Sequence, residues 1–226
     1  MKIVDLSREL YHRTPSYPGH PPVMHGVWKT HEESFAESGN VHGLASMFIS
    51  MVDHAGTHID APRHFGKSGI SIDEYPLEKC IVPGICIDLR HIAPRAEITP
   101  ADLEAAVTKA GVPVPKGGTV LLCTGHHERT FPRKEYSSDN SGVNVAATEW
   151  LAQQGIVHFG IDLDAAGTGG QGECPRPQGL PRPRHHPYRE PVQSRNAAWP
   201  RSVHLHRPAD EVARRDGFAD PRRGGV

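Results

Sequence analysis

The sequence predicts an α/β fold, a mixed sheet with flanking helices. Three observations carry this. Two segments have legible helix ends, each helix is followed by a short apolar strand, and a β-branched strand precedes the first helix. From the N-terminus, KIVDL (2–6) reads as a short buried strand. TPSYPGHPP (14–22) holds four prolines and a glycine and reads as a rigid loop. VHGLASMFISMV (41–52) is apolar with weak alternation and reads as a strand, and IVPGICIDLR (81–90) reads as another. TPADLEAAVTKAG (99–111) is the best-marked helix: Thr99 at the N-cap, Pro100 at N1, Asp102 closing a capping-box variant, and Gly111 past the end. Its apolar face is Leu103, Ala106, Val107 and Ala110. TVLLC (119–123) follows as a buried strand. VAATEWLAQQG (145–155) repeats the helix logic with Ala147, Trp150 and Leu151 inward, and IVHFGID (156–162) is the next strand.

The pattern fails after Leu163. Residues 164–226 hold 11 Arg, 9 Pro and 8 Gly but no Lys, Ile or Met, and show no apolar stripe. The expected organisation is one domain over 1–163 and an irregular, disordered Arg/Pro-rich tail over 164–226.

Composition excludes some function classes. The 226-residue chain has a net charge of -1, which offers no electrostatic footprint for nucleic acid or an anionic membrane surface. No apolar run approaches the ~20 residues of a bilayer span, and MKIVDLSREL lacks the apolar core of a signal peptide. The four cysteines form no C-x-x-C pair. A cytoplasmic protein is expected.

The chemistry concentrates in VDHAGTHIDAPRHF (52–65). His54 and His58 are four apart, and His58 and Asp60 two apart, so a turn followed by an extended step brings the three together. Two imidazoles and a carboxylate suit Zn²⁺, Mn²⁺ or Fe²⁺ with coordination positions left open. His64 would stand nearby as a free imidazole, the side chain best placed to move a proton at neutral pH. With 16 histidines in the chain, the other reading is a solvated loop that happens to carry several.

VDHAGTHIDAPRHF resembles the H-x-G-T-H-x-D-x-P-x-H motif of the cyclase-like metal hydrolases, a family that includes kynurenine formamidases and isatin hydrolases. Asp5–Ser7, the Tyr17–Pro21 loop and TEWLAQQGIVHFGID (148–162) match further landmarks, so the resemblance covers about 2–163. It implies a swivelling β/β/α domain assembled as homodimers or larger homo-oligomers. It also implies His54, His58 and Asp60 as metal ligands for one or two Zn²⁺ or Mn²⁺ ions, with Asp60 bridging where there are two. By the same resemblance His64 is the catalytic histidine and Tyr17 a substrate-facing aromatic. His20 and Trp28 are further candidates for the pocket wall. The implied reaction is hydrolysis of a small-molecule amide. An N-formyl arylamine such as N-formylkynurenine leads, and isatin-like cyclic amide opening is the alternative.

The family also places a histidine and, twelve residues later, a glutamate in its C-terminal part, within a segment like T-E-N-L. The printed tail contains neither pattern, and His185, His186 and Glu190, set among Pro and Arg, are poor substitutes. A frameshift accounts for this. Codons permitted by HHPYREPV (185–192), read one base later, spell T-T-H-T-E-N-L, and 203–222 likewise hides F-T-F-I-G-L-P-M-K-W-R-D-G-T-G-S-P-I-R. The consequence expected for the chain is exposed apolar surface, poor folding and little activity. The rival functional class is therefore an inactive product that only binds metal.

Overall fold

The computed structural model describes residues 3–168 and the backbone of 201–204. The fold is mixed α/β, with antiparallel and parallel pairing divided between separate sheets. The central sheet has four parallel strands in the order β3 (Gly84–Asp88), β5 (Thr119–Cys123), β7 (His158–Ile161) and β8 (Arg201–His204). β1 (Met24–Lys29) and β2 (Ser46–Ser50) make a separate antiparallel pair around α1 (His31–Glu37). β4 (Glu97–Ile98) and β6 (Gly142–Val143) make a two-residue parallel pair. The remaining helices are α2 (Pro62–Phe65), α3 (Pro100–Ala110), α4 (His126–Thr130) and α5 (Val145–Gln153). Among the described residues no helix is long and apolar enough to cross a membrane.

The two helices foreseen from their ends form as expected. Thr99 accepts from the Asp102 N–H while the Asp102 carboxylate accepts from the Thr99 N–H, and Gly111 takes the left-handed conformation at φ 68°. Asn144 caps α5. α3 packs on β3 and touches α5. Leu103, Leu151, Val120, Phe159 and Ile161, all at most 1% exposed, fill the layer between helices and sheet. At the carboxyl ends of the strands, the buried Asp162 carboxylate accepts from Thr124 N (2.8 Å), Thr124 Oγ1 (2.6 Å) and Gly125 N (2.6 Å), tying β7 to the turn after β5.

Several elements differ from expectation. The described part of KIVDL (3–6) forms no strand, and Ile3 is 73% exposed. A strand needs a neighbour to take its backbone groups, and here Asp5 instead accepts from the Ser7 N–H, which bends the chain locally. The strand expected over 41–52 is limited to 46–50, and it pairs with β1, which the sequence did not announce. All five residues of β2 are exposed, and Val27 (63%), Trp28 (73%) and Ile49 (68%) stand open to solvent on this pair.

Order also runs past Leu163. Ser137 Oγ donates to Asp164, the Val143 N–H donates to Ala166 O, and Asn140 Nδ2 donates to the carbonyls of Ala165 and Gly167. The tail was expected to be irregular, yet Arg201–His204 is a strand parallel to β7, with Gly160 opposite Val203. Backbone pairing along an open strand edge asks only for N–H and C=O groups, so a segment without apolar patterning satisfies it. The rest of the expected disordered tail lies outside the described residues.

Candidate metal centre

The loop between β2 and α2 is shaped by local turns. Ala55 N donates to Val52 O, and Gly56 sits at φ +72°, a conformation costly for any residue with a Cβ. A Cβ at Gly56 would also lie 2.8 Å from Leu10 Cδ2. Thr57 Oγ1 accepts from the Arg8 N–H at 2.9 Å, which pins the N-terminal segment beside the loop. Pro62 then starts α2.

These turns bring the three expected donors together. His54 Nδ1 is 2.7 Å and His58 Nε2 3.1 Å from Asp60 Oδ1, and the two ring nitrogens are 3.1 Å apart. An ion bound at 2.0–2.1 Å in tetrahedral geometry needs its ligand atoms ~3.3 Å apart, so the set opens by only a few tenths of an ångström to take one. Asp60 is 3% exposed, which suits a charge meant for a cation rather than for water. His58 Nδ1 lies 3.0 Å from the Gly56 carbonyl. A proton held there for that carbonyl leaves Nε2 with its lone pair toward the cluster, the usual orienting contact behind a metal-bound histidine. Among the described residues His54, His58 and Asp60 form a group whose donor atoms lie within 4.8 Å of one another, and the chemistry of that donor set fits a divalent metal ion.

Electrostatics separate the two histidines. Burial lowers the affinity of His54 for a proton, against the pull of Asp60. Burial also opposes the charged form of His58, but the hydrogen bonds to Asp60 and to the Gly56 carbonyl outweigh it and raise its pKa.

The other expected residues surround this group unequally. His64 stands in α2 with its ring 4.1 Å, centroid to centroid, from that of His54. His20 approaches His54 from the proline-rich loop at 6.3 Å, and Tyr17 packs on His20 at 5.6 Å. Tyr17 therefore reaches the cluster through His20. Trp28 is 73% exposed on β1. His185, His186 and Glu190 lie outside the described residues. The sequence did not single out Arg8, which is 8% exposed and faces Phe131 and Tyr136. An isolated arginine in a polar segment carries no spacing signal that could have marked it.

Residues 4–166 match the family described as "Putative cyclase". The chain belongs to this cyclase family. It is 30% identical over 161 residues to the kynurenine formamidase of Sphingopyxis alaskensis, covering 71% of this chain and 68% of that protein. It is 28% identical over 162 residues to the kynurenine formamidase of Erythrobacter litoralis, covering 71% and 65%. The chain thus spans about two thirds of these relatives. The structure of isatin hydrolase A from Labrenzia aggregata, bound to benzyl benzoate, superposes with a TM-score of 0.62 at 25% identity, covering 74% of this chain and 70% of that one. The cyclase-family members named here are hydrolases.

Proposed function

We propose that the chain is a metal-dependent amidohydrolase of the arylformamidase type, cleaving an N-formyl arylamine such as N-formylkynurenine to the amine and formate. The observation that carries this is the convergence of His54 Nδ1, His58 Nε2 and an Asp60 oxygen within 3.1 Å of one another, beside a further histidine. The kynurenine formamidase relatives support the substrate class. Opening of a cyclic amide is the second reading, favoured by the likeness to an isatin hydrolase, and it calls for the same residues.

In this reading His54, His58 and Asp60 hold one or two divalent ions, Zn²⁺ or Mn²⁺. Bound there, the ion supplies Lewis acidity toward the amide carbonyl and toward water. The chain's own residues do the rest. The Gly56 carbonyl fixes the tautomer of His58. His64 takes the proton from the attacking water and returns it to the departing nitrogen, within reach of the cluster because its ring lies against that of His54. His20 and Tyr17 form the side of the site facing substrate. We place the protein in the cytoplasm as a homo-oligomer, and we attribute the composition beyond residue 163 to a frameshift that removed the family's second set of polar residues.

Metal analysis of the purified chain, with release of formate from N-formylkynurenine measured in parallel, tests the proposal. His64→Ala is expected to keep the metal and to lose activity by roughly 10²- to 10⁴-fold. Bound metal with hydrolysis indifferent to His64→Ala would leave a metal-binding protein without this catalytic mechanism.

A further inference from the structure

Arg8 is the most deeply placed cation near the metal loop. It is 8% exposed, and its Nε and Nη1 atoms are closed to solvent with no hydrogen-bond partner among the described residues. Nη2 donates to the Pro15 carbonyl at 3.3 Å. The guanidinium carbon stands 4.8 Å from the Phe131 ring centroid and 5.9 Å from that of Tyr136. Aromatic faces and a hydrogen bond with the Tyr136 side chain offset part of the cost of burying this charge, but Nε and Nη1 keep no acceptor among the described residues. The carboxylates that act on Tyr136 are hydrogen-bonded elsewhere: Asp162 to Thr124 and Gly125, Asp164 to Ser137. Beside Arg8 lies His127, whose pKa is pushed down to about 4 by burial and then by the Arg8 charge, so the nearby imidazole is neutral at pH 7.

A second orphaned donor lies on the same strip of chain. Ser16 Oγ is closed to solvent and has no hydrogen-bond partner among the described residues, and Ser16 follows the proline whose carbonyl holds Arg8. Tyr17 comes next, and it packs on His20, which faces His54. On the other side the Arg8 backbone is bonded to Thr57, between Gly56 and His58. Arg8 thus touches both the metal loop and the loop that carries the substrate-facing residues.

We propose that Arg8, assisted by Ser16, is a carboxylate-binding subsite of this centre and selects ligands that carry a carboxylate. The inference rests on the reading of His54, His58 and Asp60 as a small-molecule site. A planar guanidinium with open N–H groups matches a carboxylate in shape and charge. Both donors are closed to solvent, so occupancy requires the Pro15–His20 loop to shift.

The test compares Zn²⁺-loaded wild type with Arg8→Met, Arg8→Lys and Ser16→Ala by thermal melting. The probes are kynurenine, its decarboxylated amine kynuramine, and sodium formate, with sodium chloride at equal ionic strength as reference. Wild type is expected to melt a few degrees higher with kynurenine and not with kynuramine. Arg8→Met is expected to weaken kynurenine binding roughly 10- to 100-fold, Arg8→Lys and Ser16→Ala by less. A formate shift abolished by Arg8→Met shows that a free carboxylate suffices. Equal responses of wild type to the acid and the amine overturn the proposal, and so does a carboxylate shift that survives in Arg8→Met, since it then comes from the ion. If Arg8→Met fails to fold by circular dichroism, the acid–amine pair on wild type and Ser16→Ala decide. Hydrolysis of formanilide by wild type, a neutral amide, tests the hydrolase reading separately.

Discussion

Gly56→Ala probes the metal loop at its tightest point. At φ +72° an alanine carries left-handed strain of about 1–2 kcal/mol. Its Cβ would also meet Leu10 Cδ2 at 2.8 Å, but Leu10 is 39% exposed and free to rotate away, so this adds less than about 1 kcal/mol. A total near 1.5 kcal/mol corresponds to a fall in Tm of roughly 3–6 °C for a domain of this size. The larger effect falls on the ion. If the backbone relaxes, the Gly56 carbonyl leaves His58 Nδ1, now 3.0 Å away, and metal affinity is expected to drop about 10- to 100-fold. Thermal melting of the metal-free protein gives the first quantity and competition against a chromogenic Zn²⁺ chelator the second. The double variant Leu10→Ala/Gly56→Ala relieves the clash and not the strain, so it should leave the affinity loss in place. Unchanged affinity in Gly56→Ala would refute the claim that this carbonyl orients His58.

Three other outcomes follow from the same structure. His127 titrates near 4 when folded and near 6.5 when unfolded, so between those values the unfolded chain binds more protons and stability falls as pH drops from 6.5 toward 4. Because the ring is partly exposed the slope is below about 1.4 kcal/mol per pH unit, and acid titration of metal-free His127→Gln by circular dichroism should show a shallower decline than wild type. Thr99→Ala removes the α3 cap and is expected to cost ~1 kcal/mol in urea unfolding, leaving metal affinity unchanged. Restoring the shifted reading frame between codons 163 and 177 should raise formamide hydrolysis above that of this chain; equal activity would count against the frameshift.

The legible parts of this molecule were those whose cause is local. Thr99, Pro100, Asp102 and Gly111 mark α3 because capping involves neighbours in sequence. His54, His58 and Asp60 come together through turns spanning seven residues. The illegible parts depend on distant partners or on no burial at all. α1 buries no residue, so no apolar stripe announced it, although Thr30 and Glu33 form a capping box visible in the letters THEE. β4 and β6 are two residues each, too short for any periodicity. KIVDL has the composition of a strand, but its described part (3–6) pairs with no strand among the described residues. Arg8 is buried by aromatic residues more than 120 positions away, a fact of tertiary contact only.

The compactness of the metal loop has a consequence for the order of events at the ribosome. All three donors are in place by residue 60, whereas the first strand of the parallel sheet begins at residue 84 and its neighbours at 119 and 158. At ~5–20 residues per second of synthesis, the donors emerge seconds before the sheet has two strands to pair. Closing a seven-residue loop costs about 1.4 kcal/mol less in chain entropy than joining strands 35 residues apart. An ion captured by the nascent chain would then be among the earliest ordered features, and the supply of metal during translation, rather than after release, would set how much protein becomes loaded.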